Sequence, residues 1–463
     1  MLNAKTFQTR AARQARWILL FSLQSLAFSL GFAANPAYPL KYNAGQHYLV
    51  DQKGVPFFIQ GDSPWYLTEA IKSPDVDSYL ATRASQGFNA VILDISDTLV
   101  TFNNQTNIYG QNPFTGTTGG YTNLATANVN YFTNVDWVIN DAAKYGICCF
   151  IYPMFLGSPG SGCWYDGIAS EPSNSIYQYG AFIGGRYASV SNIVWIGAGD
   201  IDDQTIAPII MRGITNSDTN HLITMQSIPF EPAKYFYTNS FVNLNDTYPR
   251  TPAGGGTYIT YDHARTNWFY TPTMPSFARE PWYEYSAYLG GGNSPGATGY
   301  DCRRYAWGSA TWGECGQFYG NANIWPFAAN WQTNLTSPGA SVSNLIALLS
   351  TRSWWSCIPD YSNNVVTAGY GTYGNQAFVT AMREASGKTV IAYVPVGTMT
   401  PTVAMNQLAG WSATAWWFNP RTGAGTTIGT YPTTGTQTFT PPDTNDWTLV
   451  IDSILSKNAG VHP

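Results

Sequence analysis

Short apolar runs of strand length recur along the chain and alternate with stretches in which apolar residues have helical spacing. The runs lie at 57–60, 88–93, 147–155, 193–196, 222–225, 241–244 and 274–277. The stretches between several of them predict helices at 75–86, 132–145, 175–190 and 204–215. In the helix at 132–145, for example, Val135, Val138 and Ala142 share one face. This alternation predicts a parallel sheet with helices outside it.

Eight such units would close a (β/α)8 TIM barrel, and an eighth strand is predicted near residues 308–313. An open, doubly wound sheet is the alternative. The barrel is favoured because the strands are apolar throughout and because no glycine-rich phosphate loop follows the first strand. The polar stretches 96–130, 250–272 and 286–300 are then long loops at the face where barrels build their active sites.

The pattern changes near residue 340. A helix-like stretch at 342–350 is followed by short strands separated by Gly, Pro and Asn turns. These strands are predicted at 365–367, 377–382, 389–395, 413–418, 436–439 and 447–451. Regular strand spacing of this kind indicates a β-sandwich. We therefore predict a barrel over residues 35–340 and a small β-sandwich domain over 341–463.

The first 34 residues have the pattern of a secretory signal peptide. Arg10, Arg13 and Arg16 precede an apolar run at 17–32, and small residues end the segment at Ala33 and Ala34. The run is shorter than the roughly 20 residues of a membrane span, so an uncleaved anchor is the weaker alternative. The sequence predicts a secreted or periplasmic protein without membrane attachment beyond the export signal.

Composition narrows the class of protein further. Charged residues make up 11% of the chain and aromatic residues 15%, with a net charge of −5. A nucleic-acid binder would carry a basic stripe, so no nucleic-acid partner is expected. Abundant aromatic rings suit carbohydrate stacking, although they also simply fill large cores. Six cysteines permit disulfides in an exported chain, but Cys148 and Cys149 are adjacent on a predicted strand and point to opposite faces. At least one of these two is expected to be a buried free thiol.

Acidic residues stand where several predicted strands end. They are Asp62, Asp94, Asp200, Asp246 and Glu280. A ring of carboxylates over a barrel mouth suits sugar hydroxyls, and glycoside hydrolysis needs two carboxyl groups across the scissile bond. Histidines are few, and no metalloprotease or serine-hydrolase motif is present, so no metal or cofactor is implied.

Asp200 and Glu280 are the strongest catalytic candidates among these acids. Asp200 ends an apolar strand whose last turn is glycine-rich, although a helix N-cap is the structural alternative. Glu280 ends the seventh strand before Pro281 and two aromatic residues, although an ion pair with Arg279 or Arg265 is the alternative. Arg279 would also serve catalysis by keeping a carboxylate ionised.

Several short motifs, in this order and spacing, resemble the apiosidase-like glycoside hydrolases of the family 140 type. They are Gly-Asp-Ser-Pro-Trp at 61–65, Gly-Ala-Gly-Asp at 197–200, Glu-Pro-Trp-Tyr-Glu at 280–284, and Ala-Thr-Trp-Gly at 310–313 with the aromatic residues that follow. The tail, with Trp-Phe-Asn-Pro-Arg-Thr-Gly at 417–423 and Asp446-Trp447, resembles the collagen-binding type of domain found behind such barrels. The resemblance covers nearly all of the chain after the signal segment.

This resemblance implies a secreted retaining glycoside hydrolase that acts on plant cell-wall glycans, with Asp200 as acid/base and Glu280 as nucleophile. The expected partner is an oligo- or polysaccharide, and the expected state is a monomer. Candidate substrate-binding residues are Asp62, Trp65, Asp94, Asp246, Tyr283, Glu284 and Trp312. An inverting hydrolase and a non-catalytic glycan- or matrix-binding protein on a barrel scaffold are the alternatives.

Overall fold

A computed structural model describes residues 35–96, 106–118, 121–226, 232–248, 260–286 and 296–455. The predicted signal peptide at 1–34 lies outside these residues. The described chain forms an eight-stranded parallel sheet surrounded by helices, followed by six- and three-stranded antiparallel sheets. No helix among the described residues is long and apolar enough to cross a membrane.

The parallel sheet is a nearly closed barrel, as the sequence predicts. Its strands are β1 (Ile59–Asp62), β2 (Ala90–Asp94), β3 (Cys148–Tyr152), β4 (Ile193–Ala198), β5 (Ile223–Gln226), β6 (Asn245–Thr247), β7 (Ser276–Ala278) and β8 (Gly316–Tyr319). Each pairs in parallel with its neighbours, and β8 returns to β1. At the one gap, the backbone amides of Asn243 and Leu244 both donate to the carbonyl of Ile223.

Helices follow the strands around the outside of the barrel. They are α1 (Ser73–Ser85), α2 (Val129–Lys144), α3 (Ser173–Tyr187), α4 (Ile206–Ser217), α5 (Ala233–Phe236), α6 (Thr260–Trp268), α7 (Gly299–Thr311) and α8 (Asn344–Leu349). A short helix, Trp164–Ile168, precedes α3, and 3-10 turns at Trp331–Thr336 and Pro338–Ser343 precede α8. The four predicted helices, at α1 to α4, are confirmed with ends shifted by a few residues.

The predicted eighth strand near 308–313 is wrong. Those residues form the end of α7 and the turn after it, and the strand begins at Gly316. The physical reason is that α7 is buried on nearly every side, between the barrel and the tail domain. A helix without a polar face has no amphipathic stripe, so its sequence reads as a buried strand.

Three phenylalanines fill the barrel interior. The rings of Phe150, Phe277 and Phe318 lie 5.0–5.7 Å apart in edge-to-face pairs. Gly61 on β1 makes room for them, because a Cβ at that position would lie 2.1 Å from the Phe318 ring. The interior is therefore a packed core, and only the mouth at the carboxyl ends of the strands is open to ligands.

The tail domain consists of two antiparallel sheets around one apolar core. Its strands are β9 (Cys357–Pro359), β10 (Val366–Ala368), β11 (Thr380–Glu384), β12 (Thr389–Val394), β13 (Thr402–Ala404), β14 (Ser412–Phe418), β15 (Gly425–Pro432), β16 (Thr436–Thr438) and β17 (Trp447–Ile454). The large sheet has the order β9-β11-β12-β17-β14-β15, and the small one β10-β13-β16. The sequence missed β15 because it is a sheet edge rich in Thr and Gly, with no buried residue.

The tail packs against α7 through buried polar contacts. Asp446 is 1% exposed and accepts hydrogen bonds from Arg303 of α7 and Arg421 of the tail. The hydroxyls of Thr311 and Thr380 lie 2.6 Å apart across the same boundary. These contacts run from the first turn of α7 to its last, so the tail packs along the length of this helix.

All six cysteines are among the described residues, and all are free. Cys148 packs in the barrel interior and Cys149 between the sheet and the helices. Their opposite orientation on one strand is confirmed, and the disulfides that the even count permitted are not formed.

We expect Glu314→Gln to stabilise the protein in alkaline solution. Glu314 is buried beneath β8 and accepts a hydrogen bond from Thr247, and burial raises its pKa from 4.5 to about 8. The folded protein holds a proton that the unfolded chain releases above about pH 4.5. Stability therefore falls between about pH 4.5 and 8, by up to about 1.4 kcal/mol per pH unit.

The isosteric amide has no proton to release. Urea unfolding of both proteins from pH 4.5 to 8.5 measures the difference. Parallel pH profiles of unfolding free energy would contradict the assignment.

Candidate active site

A strained turn at the end of β4 carries Asp200 to the barrel mouth. Ala198, Gly199 and Asp200 all have positive φ, at 72°, 121° and 47°. Only glycine adopts this region freely, so a run with two non-glycine residues costs energy and is typical of functional sites. A side chain at Gly199 would lie 2.5 Å from the Phe155 ring. The turn thus brings the backbone close to Phe155 and directs the side chain of Asp200 toward the barrel mouth.

Asp200 is held from a neighbouring strand. Its Oδ1 accepts a 2.7 Å hydrogen bond from Nε2 of Gln226, the last residue of β5. Its backbone carbonyl accepts one from the Ser158 hydroxyl. The alternative of a helix cap does not apply to Asp200, because Asp203 accepts from the amides of Thr205 and Ala207 at the start of α4.

Glu280 lies at the end of β7 beside a buried cation. Its carboxylate is 15% exposed, and Oε2 is 3.2 Å from the guanidinium of Arg279. The side chain of Arg279 is fully buried, pairs at 2.5 Å with Asp246 on β6, and covers the ring of Tyr248. The ion pair that the sequence left as an alternative therefore exists. It keeps Glu280 at the mouth rather than burying it.

Tyr152, at the end of β3, is connected to Asp200 through Gln226. Its hydroxyl donates to Oε1 of Gln226 at 2.5 Å, and Gln226 in turn donates to Asp200. Burial raises the pKa of Tyr152 well above 10, and the charges that further influence it are Arg279, Asp246, Glu280 and Asp200. Asp200 and Glu280 follow the carboxyl ends of β4 and β7, and these ends meet at one face of a parallel barrel, so both lie at the same mouth.

Aromatic residues form one wall of this mouth. Trp65 donates from Nε1 to the hydroxyl of Tyr283, and its ring lies 4.9 Å from Tyr152 and 5.4 Å from Phe155. The pKa of Tyr283 is raised well above 10, first by burial and then by the charge of Glu280. Trp65 and Tyr283 are therefore beside the carboxylates, where a sugar would bind, and their contact with substrate stays a prediction.

Asp62 does not face the mouth, and its predicted role in substrate binding is wrong. Its carboxylate is fully buried between the sheet and α1, where it accepts hydrogen bonds from Tyr79 at 2.6 Å and from Arg83 at 2.5 Å. The reason is strand alternation: Gly61 points into the barrel, so the next residue points outward.

Asp94 and Asp246 point inward but are also fully buried. Asp94 accepts from the backbone amides of Ser96 and Phe155, so it joins the loops after β2 and β3. Asp246 pairs with Arg279. Both lie below the open surface, and the expectation that they contact substrate is replaced by a supporting role.

Glu284 and Trp312 are structural as well. Glu284 is 1% exposed and accepts from the hydroxyls of Tyr319 and Ser337 and the amide of Gly339, which fixes the turn after β8. Trp312 follows α7 at the opposite end of the barrel and packs against Tyr361 of the tail. The prediction that these residues bind substrate is wrong. Motif resemblance did not reveal which end of the barrel Trp312 occupies.

Sequence reasoning missed Tyr152 and Gln226. Each is the last residue of its strand and points into the barrel, and Gln226 follows Ile223, Thr224 and Met225. A search limited to acidic residues passes over them. The signal available was a polar side chain at the carboxyl end of a barrel strand.

The barrel thus carries two half-buried carboxylates at the ends of β4 and β7, and barrel-type glycoside hydrolases use such a pair of carboxyl groups. Residues 43–356 match the model of the family described as apiosidase-like, catalytic domain. The chain belongs to this family and is therefore a glycosidase. Residues 358–452 match a domain family named for collagen binding in a collagenase. The two matches meet later in the chain than the boundary predicted near residue 340.

Solved structures of similar fold are also glycoside hydrolases by title. One titled glycoside hydrolase is 23% identical, with a TM-score of 0.77 and coverage of 90% of this chain and 97% of its own. A family 5 glycoside hydrolase from Bacteroides vulgatus is 22% identical, with the same TM-score and coverage of 89% and 93%. These likenesses confirm the fold. No curated protein matches the sequence significantly.

Proposed function

We propose that this glycosidase is exported and cleaves branched plant cell-wall glycans with retention of anomeric configuration. Glu280 would be the nucleophile and Asp200 the acid/base. The observation that carries the proposal is a pair of half-buried carboxylates after β4 and β7, one hydrogen-bonded by Gln226 and the other paired with Arg279. The family match supports the apiose-related substrate class, and the N-terminal pattern supports export.

The first step forms a bond between a Glu280 oxygen and the anomeric carbon while the bond to the leaving oxygen breaks. Asp200 gives its proton to that leaving oxygen. In the second step Asp200 takes a proton from water, the water oxygen attacks the anomeric carbon, and Glu280 departs. Arg279 supports this division of roles, because a buried cation beside Glu280 favours its ionised form.

The stereochemical test uses the wild-type protein and a panel of 4-nitrophenyl glycosides that includes both apioside anomers. Proton NMR of the first product formed is expected to show the anomer of the substrate. The opposite anomer would establish an inverting mechanism instead. Binding of pectic oligosaccharides without turnover of any substrate would favour a glycan-binding role.

Asp200→Ala tests the acid/base role. We expect kcat/KM to fall by roughly 10²–10⁴-fold for a 4-nitrophenyl glycoside and far less for the 2,4-dinitrophenyl glycoside, which needs no proton to leave. Azide should restore turnover and give a glycosyl azide of retained configuration. Asp202→Asn, an acid two residues away, is the matched control. Equal losses for both leaving groups would remove Asp200 from this role.

A further inference from the structure

We propose that Gln226 is a positioning residue that decides which oxygen of Asp200 carries the catalytic proton, and that Tyr152 sets the orientation of the Gln226 amide. The inference rests on the proposed acid/base role of Asp200. It adds two uncharged residues, on β5 and β3, to the machinery of proton transfer.

The three side chains form one directed hydrogen-bond chain. Tyr152 and Gln226 are both fully buried, whereas Asp200 is half-buried at the mouth. The Tyr152 hydroxyl lies 2.5 Å from Gln226 Oε1, and Gln226 Nε2 lies 2.7 Å from Asp200 Oδ1. An ionised carboxylate only accepts, so the amide nitrogen must face Asp200 and the amide oxygen must face Tyr152. The direction of the chain follows from donor and acceptor chemistry alone.

The hydrogen-bond chain determines which oxygen of Asp200 carries the proton. The amide of Gln226 donates to Oδ1, and the carbonyl oxygen of a neutral carboxyl is a better acceptor than its hydroxyl oxygen, so protonated Asp200 carries its proton on Oδ2. A general acid works only when the proton points at the leaving oxygen, so fixing the oxygen is part of catalysis. The same amide hydrogen bond is made to the ionised carboxylate, which accepts more strongly than the neutral acid.

Tyr152 prevents the amide from turning over. Without its hydroxyl, Gln226 could rotate by half a turn and present its oxygen to Asp200, which disfavours ionisation of the carboxylate. Burial keeps the phenol protonated, since it raises the pKa of Tyr152 well above 10. The donor is therefore present throughout the working range of the enzyme.

Other charged groups surround this chain and act equally on all variants. Asp202 and Asp203 follow Asp200, and Asp203 is engaged at the start of α4. From β6 and β7, Asp246, Arg279 and Glu280 influence Tyr152 electrostatically. Tyr152→Phe changes no charge, so a shift in its pH profile is attributable to the hydrogen-bond chain.

Two variants of the full-length protein test the inference. Gln226→Glu keeps the shape but places a second carboxylate against Asp200. The pair would share a proton. We expect the alkaline limb of the kcat/KM pH profile to shift to higher pH by about one to two units. Tyr152→Phe removes only the hydroxyl group. We expect it to shift the alkaline limb to higher pH by about one unit or less. In both, the loss should be roughly tenfold or more for 4-nitrophenyl glycosides and markedly smaller for 2,4-dinitrophenyl glycosides.

Tyr38→Phe is the matched control, because its hydroxyl donates to the carbonyl of Gly146 at the far end of the β3 unit. It should leave the pH profile and the leaving-group dependence unchanged. An unmoved alkaline limb with equal losses for both leaving groups would overturn the positioning role. Tyr152→Phe carries the test if the introduced carboxylate prevents folding.

The outcomes also separate this inference from the proposed function. If Asp200→Ala shows the expected leaving-group dependence and the Gln226 and Tyr152 variants do not, the inference alone fails. If Asp200→Ala shows none, the acid/base assignment fails first.

Discussion

Replacing Glu280 with Gln is expected to lower kcat/KM by at least about 10⁴-fold, because the amide cannot form the glycosyl-enzyme bond. The loss should be the same for good and poor leaving groups, in contrast to Asp200→Ala. Glu280 is 15% exposed and lies at the barrel mouth, so the unfolding temperature should change little. Steady-state assays beside a thermal melt measure both effects.

Two controls make this result specific to the nucleophile. Glu171→Gln replaces a buried carboxyl near the start of α3 and should retain activity. Glu280→Ala with azide should yield a glycosyl azide of inverted configuration, because the anion takes the place of the missing carboxylate. Retention of a tenth or more of wild-type activity in Glu280→Gln would mean that another group attacks the sugar.

The second large effect concerns stability. We expect Arg279→Met to destabilise the barrel by about 3–5 kcal/mol at neutral pH, since it leaves a buried carboxylate without a partner. The side chains of Arg279 and Asp246 are 0% and 1% exposed. Burial already raises the pKa of Asp246, and Arg279 opposes that rise. Without Arg279 the carboxyl would take up a proton, so the deficit should shrink as pH falls.

Urea unfolding at pH 7 and pH 5 measures this change in free energy. Arg186→Met is the control, because Arg186 forms a comparable two-bond pair with Asp136 between α3 and α2, with the two side chains 20% and 33% exposed. Exposed pairs contribute up to about 1 kcal/mol. A similar small loss in both variants, or the same deficit at both pH values, would contradict the view that Arg279 neutralises a buried acid.

The barrel could be predicted because its strands are buried on both faces and its first four helices are amphipathic. Their periodicity in the sequence reflects the environment they meet. That logic fails for α7, which is buried on all sides, and for β15, an exposed edge. In both places tertiary packing, rather than local pattern, determines the structure.

The candidate site shows the same limit at finer scale. The ends of the predicted strands correctly indicated Asp200 and Glu280 at the mouth. The other acids of the predicted ring are buried and have structural roles, because the role of a carboxylate depends on the strand face and the depth at which it lies. Asp62 is one residue out of phase with the mouth, and Asp94 lies in phase but beneath the surface. Gln226 and Tyr152 carry no charge, so a search for acidic residues passes over them although both end barrel strands.

The reaction rates of buried free cysteines would measure how often parts of the structure open locally. Burial raises the pKa values of Cys148 and Cys302, which lie in the barrel interior and on α7. Thiol reagents attack thiolates, so each of these two sites reacts only when its region opens to water. Single-cysteine variants would therefore time the opening around α7 separately from the opening of the barrel interior.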